Sequence, residues 1–209
     1  MDKFIHLFLG HLFGDYVFQN KWIATKKSRE FKVLLIHILI IFLSQTFFYL
    51  GKNFNLKSLY LIGILSVIHF FIDFIKFVNS KKKFFSSHKY YLIDQMIHIL
   101  SIITIAFFIP STSFFIPKNI SVILSSSVFN AYLLGIYSFF LKNDTAYKRD
   151  IEGYIIRGFC PVVYLFGPVY YSIYTLITGV YSIYFLKKHQ VISWALSITL
   201  TIVFMEVML

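Results

Sequence analysis

Apolar stretches of roughly 20 residues, the length of a membrane-spanning helix, recur along the whole of this chain. Hydrophobic residues make up 58% of its 209 residues and charged residues only 14%, whereas a soluble domain carries roughly 25% charged residues. The sequence therefore predicts an all-α fold, a polytopic membrane helix bundle that forms a single integral membrane domain over residues 1–209. The first stretch lacks a basic leader and a small-residue cleavage site, so we expect a retained helix rather than a signal peptide.

Seven apolar segments can be delimited, and the sixth is too long for one ordinary span. It contains Pro161, Gly167 and Pro168, so we expect it to break near the sequence FGPV into two short helices. The chain then has seven or eight transmembrane helices, and no internal repeat is evident. The segments are Phe4–Phe18, Val33–Leu50, Leu59–Val78, Tyr91–Phe108, Ile120–Leu141, Tyr154–Leu186 and Val191–Leu209.

Basic residues concentrate in alternate connections between these segments. Five lie in residues 21–32, four in residues 79–90 and three in residues 142–150, whereas the connections in between carry two and one. Cytoplasmic connections carry the excess of Lys and Arg, so we expect the N-terminus outside and a location in the bacterial cytoplasmic (inner) membrane. The same rule explains the net charge of +11 without a nucleic-acid partner.

Histidines and aspartates occur inside the apolar segments, where an ionisable side chain is costly and marks a functional site by default. Three segments each carry one His and one Asp four residues apart, so that both side chains leave the same face of a helix. With the orientation taken from the basic residues, all of them fall at a similar depth in the cytoplasmic half of the membrane. Residues 1–110 thus carry the site, and residues 111–209 supply supporting helices. The site residues are His11, Asp15, His37, His69, Asp73, Asp94 and His98.

Histidine and aspartate in this pattern are typical ligands of a divalent metal ion. The one cysteine, Cys160, excludes a thiolate cluster, so the ligands must be nitrogen and oxygen. Zinc is the expected metal, with manganese or iron as alternatives. Seven ligands exceed what one tetrahedral ion needs and would suit two ions bridged by a carboxylate. A proton or ion pathway and hydrogen-bonded packing between helices remain as other interpretations.

Polar residues beside these ligands are candidates for substrate binding. Gln19 extends the stripe of His11 and Asp15, Lys76 lies one turn beyond Asp73, and Arg157 lies just inside the sixth segment. Lysine and arginine at this depth can hold a lipid phosphate, although either can also extend to the headgroups without a specific ligand. His6, near the other end of the first segment, is interpreted as an interfacial residue.

Four motifs in the first half occur in order over roughly residues 6–100. With them the chain resembles a family of uncharacterised bacterial polytopic membrane proteins that is defined only as a domain of unknown function. The segment IEGYIIRG at Ile151–Gly158 is similar to a degraded version of a glycine, glutamate and arginine segment of that family. The four motifs are HLFGDYVFQNKWIATKK at His11–Lys27, His37 within LLIHIL, HFFIDFIK at His69–Lys76 and DQMIH at Asp94–His98.

The histidine and aspartate pattern of this family is similar to that of membrane-bound metal-dependent hydrolases, and pairs of the form HxxxD also recur in zinc phospholipase C and related nucleases. We therefore expect a metal-dependent hydrolase acting on a lipid or lipid-linked phosphoester at the cytoplasmic leaflet. Asp15 and Asp73 are the expected catalytic residues, with Asp15 as general base if it does not bind the metal. Two alternatives are a small proton- or cation-coupled transporter, or a component of one, and a non-catalytic scaffold within a membrane complex.

Overall fold

A computed structural model describes residues 1–141 and 150–209, without the side chains of Ser86 and Leu141. The helices form two compact units, Met1–Ser121 and Val122–Leu209. Within the described residues the fold is all-helical, apart from an isolated β-bridge between Gly51 and Phe114. The predicted all-α class is thus confirmed.

Three helices of the first unit begin after a residue whose side chain caps the helix. Asn20, Asn55 and Ser87 each accept a hydrogen bond from the backbone N–H three residues later, which satisfies one of the free donors at a helix N-terminus. Helix α1 continues directly into a π-helical turn, Phe13–Val17. The helices are α1 (Asp2–Leu12), α2 (Lys21–Lys26), α3 (Phe31–Tyr49), α4 (Leu56–Val78) and α5 (His88–Phe108), which follows a short 3₁₀ turn (Lys83–Ser86).

Four of these helices form a closed ring of contacts. Helix α1 packs against α3 and α5, and α4 packs against the same two helices on the other side. Every side chain of α1 from Ile5 to Leu12 is buried, so α1 is a core helix and not a peripheral one. Residues 18–30 and 79–87 connect the helices at one end of the ring, and residues 50–55 and 109–117 lie at the other.

Two glycines let α1 approach α3 closely. A Cβ atom on Gly10 would lie 2.5 Å from Cα of Gln45, and one on Gly14 would lie 3.1 Å from Cα of Ile41. The hydroxyl of Ser44 donates to the main-chain oxygen of Gly10 at 2.7 Å. Small residues four apart that bring two backbones together are characteristic of helix pairs in membranes.

The second unit is also helical, and the boundary between the units falls within α6. Helix α10 packs against α7, α8 and α9, and α8 also packs against a π-helical turn at Phe129–Leu133. Gly167, with φ at +100°, lies between α8 and α9 and precedes Pro168 at the start of α9, which confirms the predicted break at FGPV. The helices are α6 (Lys118–Val128), α7 (Leu134–Leu141), α8 (Ile151–Tyr164), α9 (Pro168–Phe185) and α10 (Lys188–Met208).

Five helices of the described chain are long and apolar enough to cross a membrane: α3, α4, α5, the continuous helix Lys118–Phe140 and α10. They coincide with five of the seven predicted segments, which supports a membrane protein. Helices α1, α8 and α9 are not among these five. The predicted total of seven or eight transmembrane helices is therefore not established. Three residues counted in the basic connections, Lys142, Lys148 and Arg149, lie outside the described part of the chain.

The contact between α1 and α3 can be tested by replacing Gly10 with alanine. We expect Gly10→Ala to lower the free energy of unfolding by about 1–3 kcal/mol, because the added methyl group overpacks against the backbone of α3. Gly63→Ala is the matched control, since nothing lies within 4 Å of its Cβ position and alanine favours a helix by up to about 1 kcal/mol. Thermal unfolding of the detergent-solubilised chain measures both, and equal effects would contradict the close contact.

Candidate metal centre

The π-helical turn places Asp15 at the end of the helix that carries His11. The N–H of Phe18 donates to the oxygen of Phe13, five residues back, at 2.8 Å. The π-helical turn contains one more residue than an α-helical turn, which rotates Asp15 relative to its position in a regular α-helix. Single π-helical turns are frequent at functional sites. Asp15 is only 6% exposed. The α-helical spacing assumed from the sequence for His11 and Asp15 is therefore altered at this point.

All seven predicted ligands are buried and lie together in the ring of four helices. His37 is central, because its Nε2 lies 3.4 Å from Asp15 Oδ1 and 3.2 Å from Asp73 Oδ2. His69 Nε2 lies 3.7 Å from the same Asp73 oxygen. His98 Nε2 lies 4.0 Å from Asp73 Oδ1 and equally far from an oxygen of Asp94. The side chains thus come from α1 and its π-helical turn, α3, α4 and α5.

Two sets of three ligand atoms lie within 4.8 Å of one another. One set combines Asp15, His37 and His69, and the other combines His69, Asp73 and His98. His69 belongs to both sets. These buried histidine and aspartate groups could hold a metal ion.

Several of these groups have buried ring nitrogens or oxygens without a hydrogen bond. Nε2 of His11, Nε2 of His69 and Oδ1 of Asp94 have no such partner among the residues that the structure describes. The ring of His11 lies 5.3 Å from that of His69 and 5.2 Å from that of His98. A buried polar atom left without a partner is unfavourable, so nitrogen and oxygen atoms in this arrangement fit a bound cation.

His6 shows how a buried histidine of α1 is satisfied without a metal. It is 0% exposed, and its two ring nitrogens lie 2.7 Å and 2.9 Å from the main-chain oxygens of Asp2 and Ile116. Its ring also stacks on that of Phe114. The interpretation of His6 as an interfacial residue stays a prediction, and the structure adds that the chain near residue 114 covers its ring. Both nitrogens of His6 contact carbonyl groups, unlike Nε2 of His11.

Lys27 lies in the same cluster, although its sequence position suggested only a basic connection. Its Nζ lies 3.1 Å from Asp15 Oδ1, 2.9 Å from His37 Nε2 and 3.3 Å from Asp73 Oδ2. The side chain is 13% exposed. Burial alone would lower the pKa of Lys27, but the carboxylates of Asp15 and Asp73 outweigh it and raise the pKa above its usual value. Lys27 is therefore a buried ammonium ion.

A second group of residues orients Asp94. The side-chain amide of Gln95 donates to Asp94 Oδ2 at 3.3 Å, and the hydroxyl of Tyr16 donates to Gln95 Oε1 at 2.9 Å. Lys76 Nζ lies 3.9 Å from Asp94 Oδ2. Lys76 thus reaches from α4 to α5. Sequence reasoning missed Tyr16 and Gln95, and the one signal was that each directly follows an aspartate of the cluster.

Gln19 contacts the cluster by a hydrogen bond to the main chain of Asp15. Its amide donates to the main-chain oxygen of Asp15 at 2.8 Å, which satisfies a carbonyl at the end of the π-helical turn. Its Oε1 is buried and accepts no hydrogen bond within residues 1–141 and 150–209. Its predicted role in substrate binding stays a prediction.

Arg157 belongs to the second unit and is 0% exposed. Its guanidinium donates to Asp150 Oδ2 and to the hydroxyl of Ser193, each at 3.0 Å. It also donates to the main-chain oxygens of Asn130 and Ala131 in the π-helical turn. These contacts give Arg157 a structural role in joining helices of its own unit, and its predicted role in substrate binding stays a prediction.

The structural role of Arg157 predicts a large effect on stability. Arg157→Met should lower the free energy of unfolding by about 1–3 kcal/mol, because the buried hydroxyl of Ser193 and the carbonyl groups of Asn130 and Ala131 lose a donor. Glu152→Gln is the control, since Glu152 is exposed and surface changes typically stay within about 0.5 kcal/mol. Thermal unfolding of the solubilised chain distinguishes them. An Arg157→Met chain that unfolds like the unmodified chain would contradict this role and favour substrate binding.

Comparison with known proteins identifies a family but no activity. The family described as "Protein of unknown function (DUF3307)" matches residues 3–125. This range includes every histidine and aspartate of the cluster, as well as Lys27 and Lys76. No curated protein and no solved structure matches the chain. Since the match covers more than half of the residues, the chain belongs to the DUF3307 family of proteins of unknown function.

Proposed function

We propose that this chain is a membrane-embedded, metal-dependent hydrolase of a lipid or lipid-linked phosphoester. The observation that carries the proposal is that His69, whose buried Nε2 has no hydrogen-bond partner among the described residues, lies within 4.8 Å of the ligand atoms of Asp15 and His37 and of those of Asp73 and His98. Buried histidine and aspartate side chains from four helices are characteristic of metal centres in helical bundles.

The proposed ligands favour zinc, with manganese or iron as alternatives. All are imidazole nitrogens or carboxylate oxygens, and these ligands suit each of the three metals. In a tetrahedral zinc site with bonds of about 2.0–2.1 Å, ligand atoms lie about 3.3 Å apart. The distances of 3.2–4.0 Å within the cluster are close to that spacing. One or two ions would be held by His11, Asp15, His37, His69, Asp73, Asp94 and His98.

The proposed reaction is the attack of water on phosphorus, with cleavage of the bond between phosphorus and the alcohol oxygen. A divalent ion, when bound, lowers the pKa of a water molecule towards about 7. Asp15 or Asp73 accepts the proton of the attacking water at a carboxylate oxygen, and the alcohol leaves with a proton. Lys76 and Gln19 would orient the phosphate, and Arg157 remains a candidate for the same task.

The proposed topology places the cluster near the cytoplasmic leaflet of a bacterial inner membrane, with the N-terminus outside and seven or eight spans. The cluster lies at the end of the ring where residues 18–30 and 79–87 connect the helices. Those connections contain half of the basic residues of the first unit, which supports a cytoplasmic position. A substrate in the inner leaflet would then approach the cluster from this end.

A small proton- or cation-coupled transporter is the second candidate. It is favoured by the continuous chain of ionisable groups from Asp15 through Lys27 and His37 to Asp73, since such chains relay protons in pumps and transporters. Uptake driven by a proton gradient in proteoliposomes would support the transporter, and it would not be expected of the hydrolase.

The hydrolase proposal predicts that metal content and activity depend on the same residues. His69→Ala should lower both metal affinity and phosphoester hydrolysis by more than about 100-fold, and Asp94→Asn should lower them by about 10–100-fold, the range found for residues that support a ligand. His88→Ala is the control, since His88 begins α5 outside the cluster. The measurements are metal analysis of the purified chain and release of phosphate or alcohol from phospholipid in mixed micelles.

Two results would contradict the proposal. One is a purified chain that contains no transition metal after expression in metal-supplemented medium. The other is a His69→Ala chain that keeps its full metal content and activity.

A further inference from the structure

We propose that the cluster binds a single metal ion, held by His11, His69, Asp73 and His98, and that the ammonium group of Lys27 stands where a second ion would bind. The inference rests on the metal binding of the proposed function but not on hydrolysis. It assigns to Lys27 the positive charge that the second ion supplies in a two-metal phosphoesterase.

The first argument is the geometry around Lys27 Nζ. The ammonium group of Lys27 lies within hydrogen-bond distance of Asp15 Oδ1 at 3.1 Å and His37 Nε2 at 2.9 Å, and it forms an ion pair with Asp73 Oδ2 at 3.3 Å. A metal ion between Asp15 and His37 would need two of the same atoms. Lys27 and a second ion therefore compete for one position.

The second argument is that the backbone fixes Lys27 in place. Helix α2 starts with Asn20, whose side chain accepts from the N–H of Ile23 at 2.9 Å. It ends with the N–H of Lys27 donating to the oxygen of Ile23 at 2.9 Å. The side chain of Ile23 is buried, and α2 packs against α3. Hydrogen bonds thus define both ends of this short helix, and its middle packs inward through Ile23. The side chain of Lys27 points into the cluster.

The third argument is that the other side of the cluster holds ligand atoms without a protein cation. Nε2 of His11 and Nε2 of His69 are buried and lack hydrogen-bond partners in the described chain. Asp73 Oδ1 lies 4.0 Å from His98 Nε2, and these three histidine rings lie within 5.3 Å of one another. One ion here meets histidines from three helices and a carboxylate.

The fourth argument is charge. With neutral histidines, the cluster contains three carboxylates, those of Asp15, Asp73 and Asp94, against two ammonium groups, those of Lys27 and Lys76. One net negative charge remains. A single divalent ion changes this to one net positive charge. A second ion added beside Lys27 would leave three uncompensated positive charges, and removal of the Lys27 charge would lower that number to two, in a site where unpaired charge is unfavourable.

The inference also sharpens the substrate class. A lysine ammonium binds a phosphate oxygen as a point charge, so a phosphoester anion bridging the metal ion and Lys27 would meet two positive centres. Lys27 would exchange part of its contact with Asp15 and Asp73 for a phosphate oxygen of the substrate. Uncharged esters and amides offer no anionic oxygen for Lys27.

The decisive experiment counts metal ions in the full chain in detergent. The purified chain and its variants are loaded with Zn²⁺ alone, freed of excess ion and analysed by mass spectrometry for metal per chain. The unmodified chain is expected to hold one ion, Lys27→Gln two, and Lys27→Arg one. Lys26→Gln is the matched control, because Lys26 is the preceding lysine and pairs with Glu30 outside the cluster, and it should hold one ion. Two ions in the unmodified chain, or one in a folded Lys27→Gln chain, would overturn the inference.

A second pair of variants tests the position of the metal ion if Lys27→Gln does not fold. His37→Ala should keep one ion per chain, whereas His98→Ala should lose it. Loss of the ion from His37→Ala with retention in His98→Ala would place the metal at the position assigned to Lys27. An unmodified chain with one ion but no hydrolysis contradicts only the proposed function, two ions contradict only this inference, and no ion contradicts both.

Discussion

The ion pairs of Lys27 with Asp15 and Asp73 are the interaction on which the first unit depends. Two unit charges 4 Å apart interact by about 4 kcal/mol at an effective dielectric constant of 20, and an isolated buried charge is far less favourable than that. The carboxylates lie on different elements, the π-helical turn after α1 and helix α4. One ammonium group therefore holds together two parts of the ring that are distant in sequence.

The position of α1 in the core follows from the same requirement. A helix that carries His11 and Asp15 must direct both away from apolar surroundings, and α1 does so by lying against α3 and α5. Gly10 and Gly14 permit that position, because any larger side chain would meet the backbone of α3. The π-helical turn then aims Asp15 at Lys27 and His37. The close packing of the α1 and α3 backbones and the burial of charged side chains thus both follow from the position of α1.

The helices and the buried histidines and aspartates of the cluster could be predicted from the sequence, because both depend on local spacing. Polar residues one turn apart in apolar segments marked the cluster, and Gly167 with Pro168 marked the break between α8 and α9. Lys27 could not be found in this way. In a connection rich in lysine, its charge is explained by the positive-inside rule, and only the folded chain distinguishes it from Lys26, which stays near the surface.

Other features were missed because they depend on contacts between distant residues. The π-helical turn at Phe13–Val17 has no periodicity of its own, since a single extra residue leaves the apolar pattern intact. The burial of His6 could not be predicted because the residues that cover it, Phe114 and Ile116, lie far along the chain. Arg157 looked available to a ligand, whereas Asp150 and the carbonyl groups of the turn at Phe129–Leu133 engage its donors.

Lys27 belongs to the connection between helices and not to any of the four helices that carry the ligands, and this has a consequence for access. The connection covers the end of the ring and supplies the counter-charge of Asp15 and Asp73 at the same time. Any displacement that uncovers the cluster also withdraws a positive charge from it. The exposure of the cluster and its electrostatic potential therefore change together, and residues 18–30 determine both.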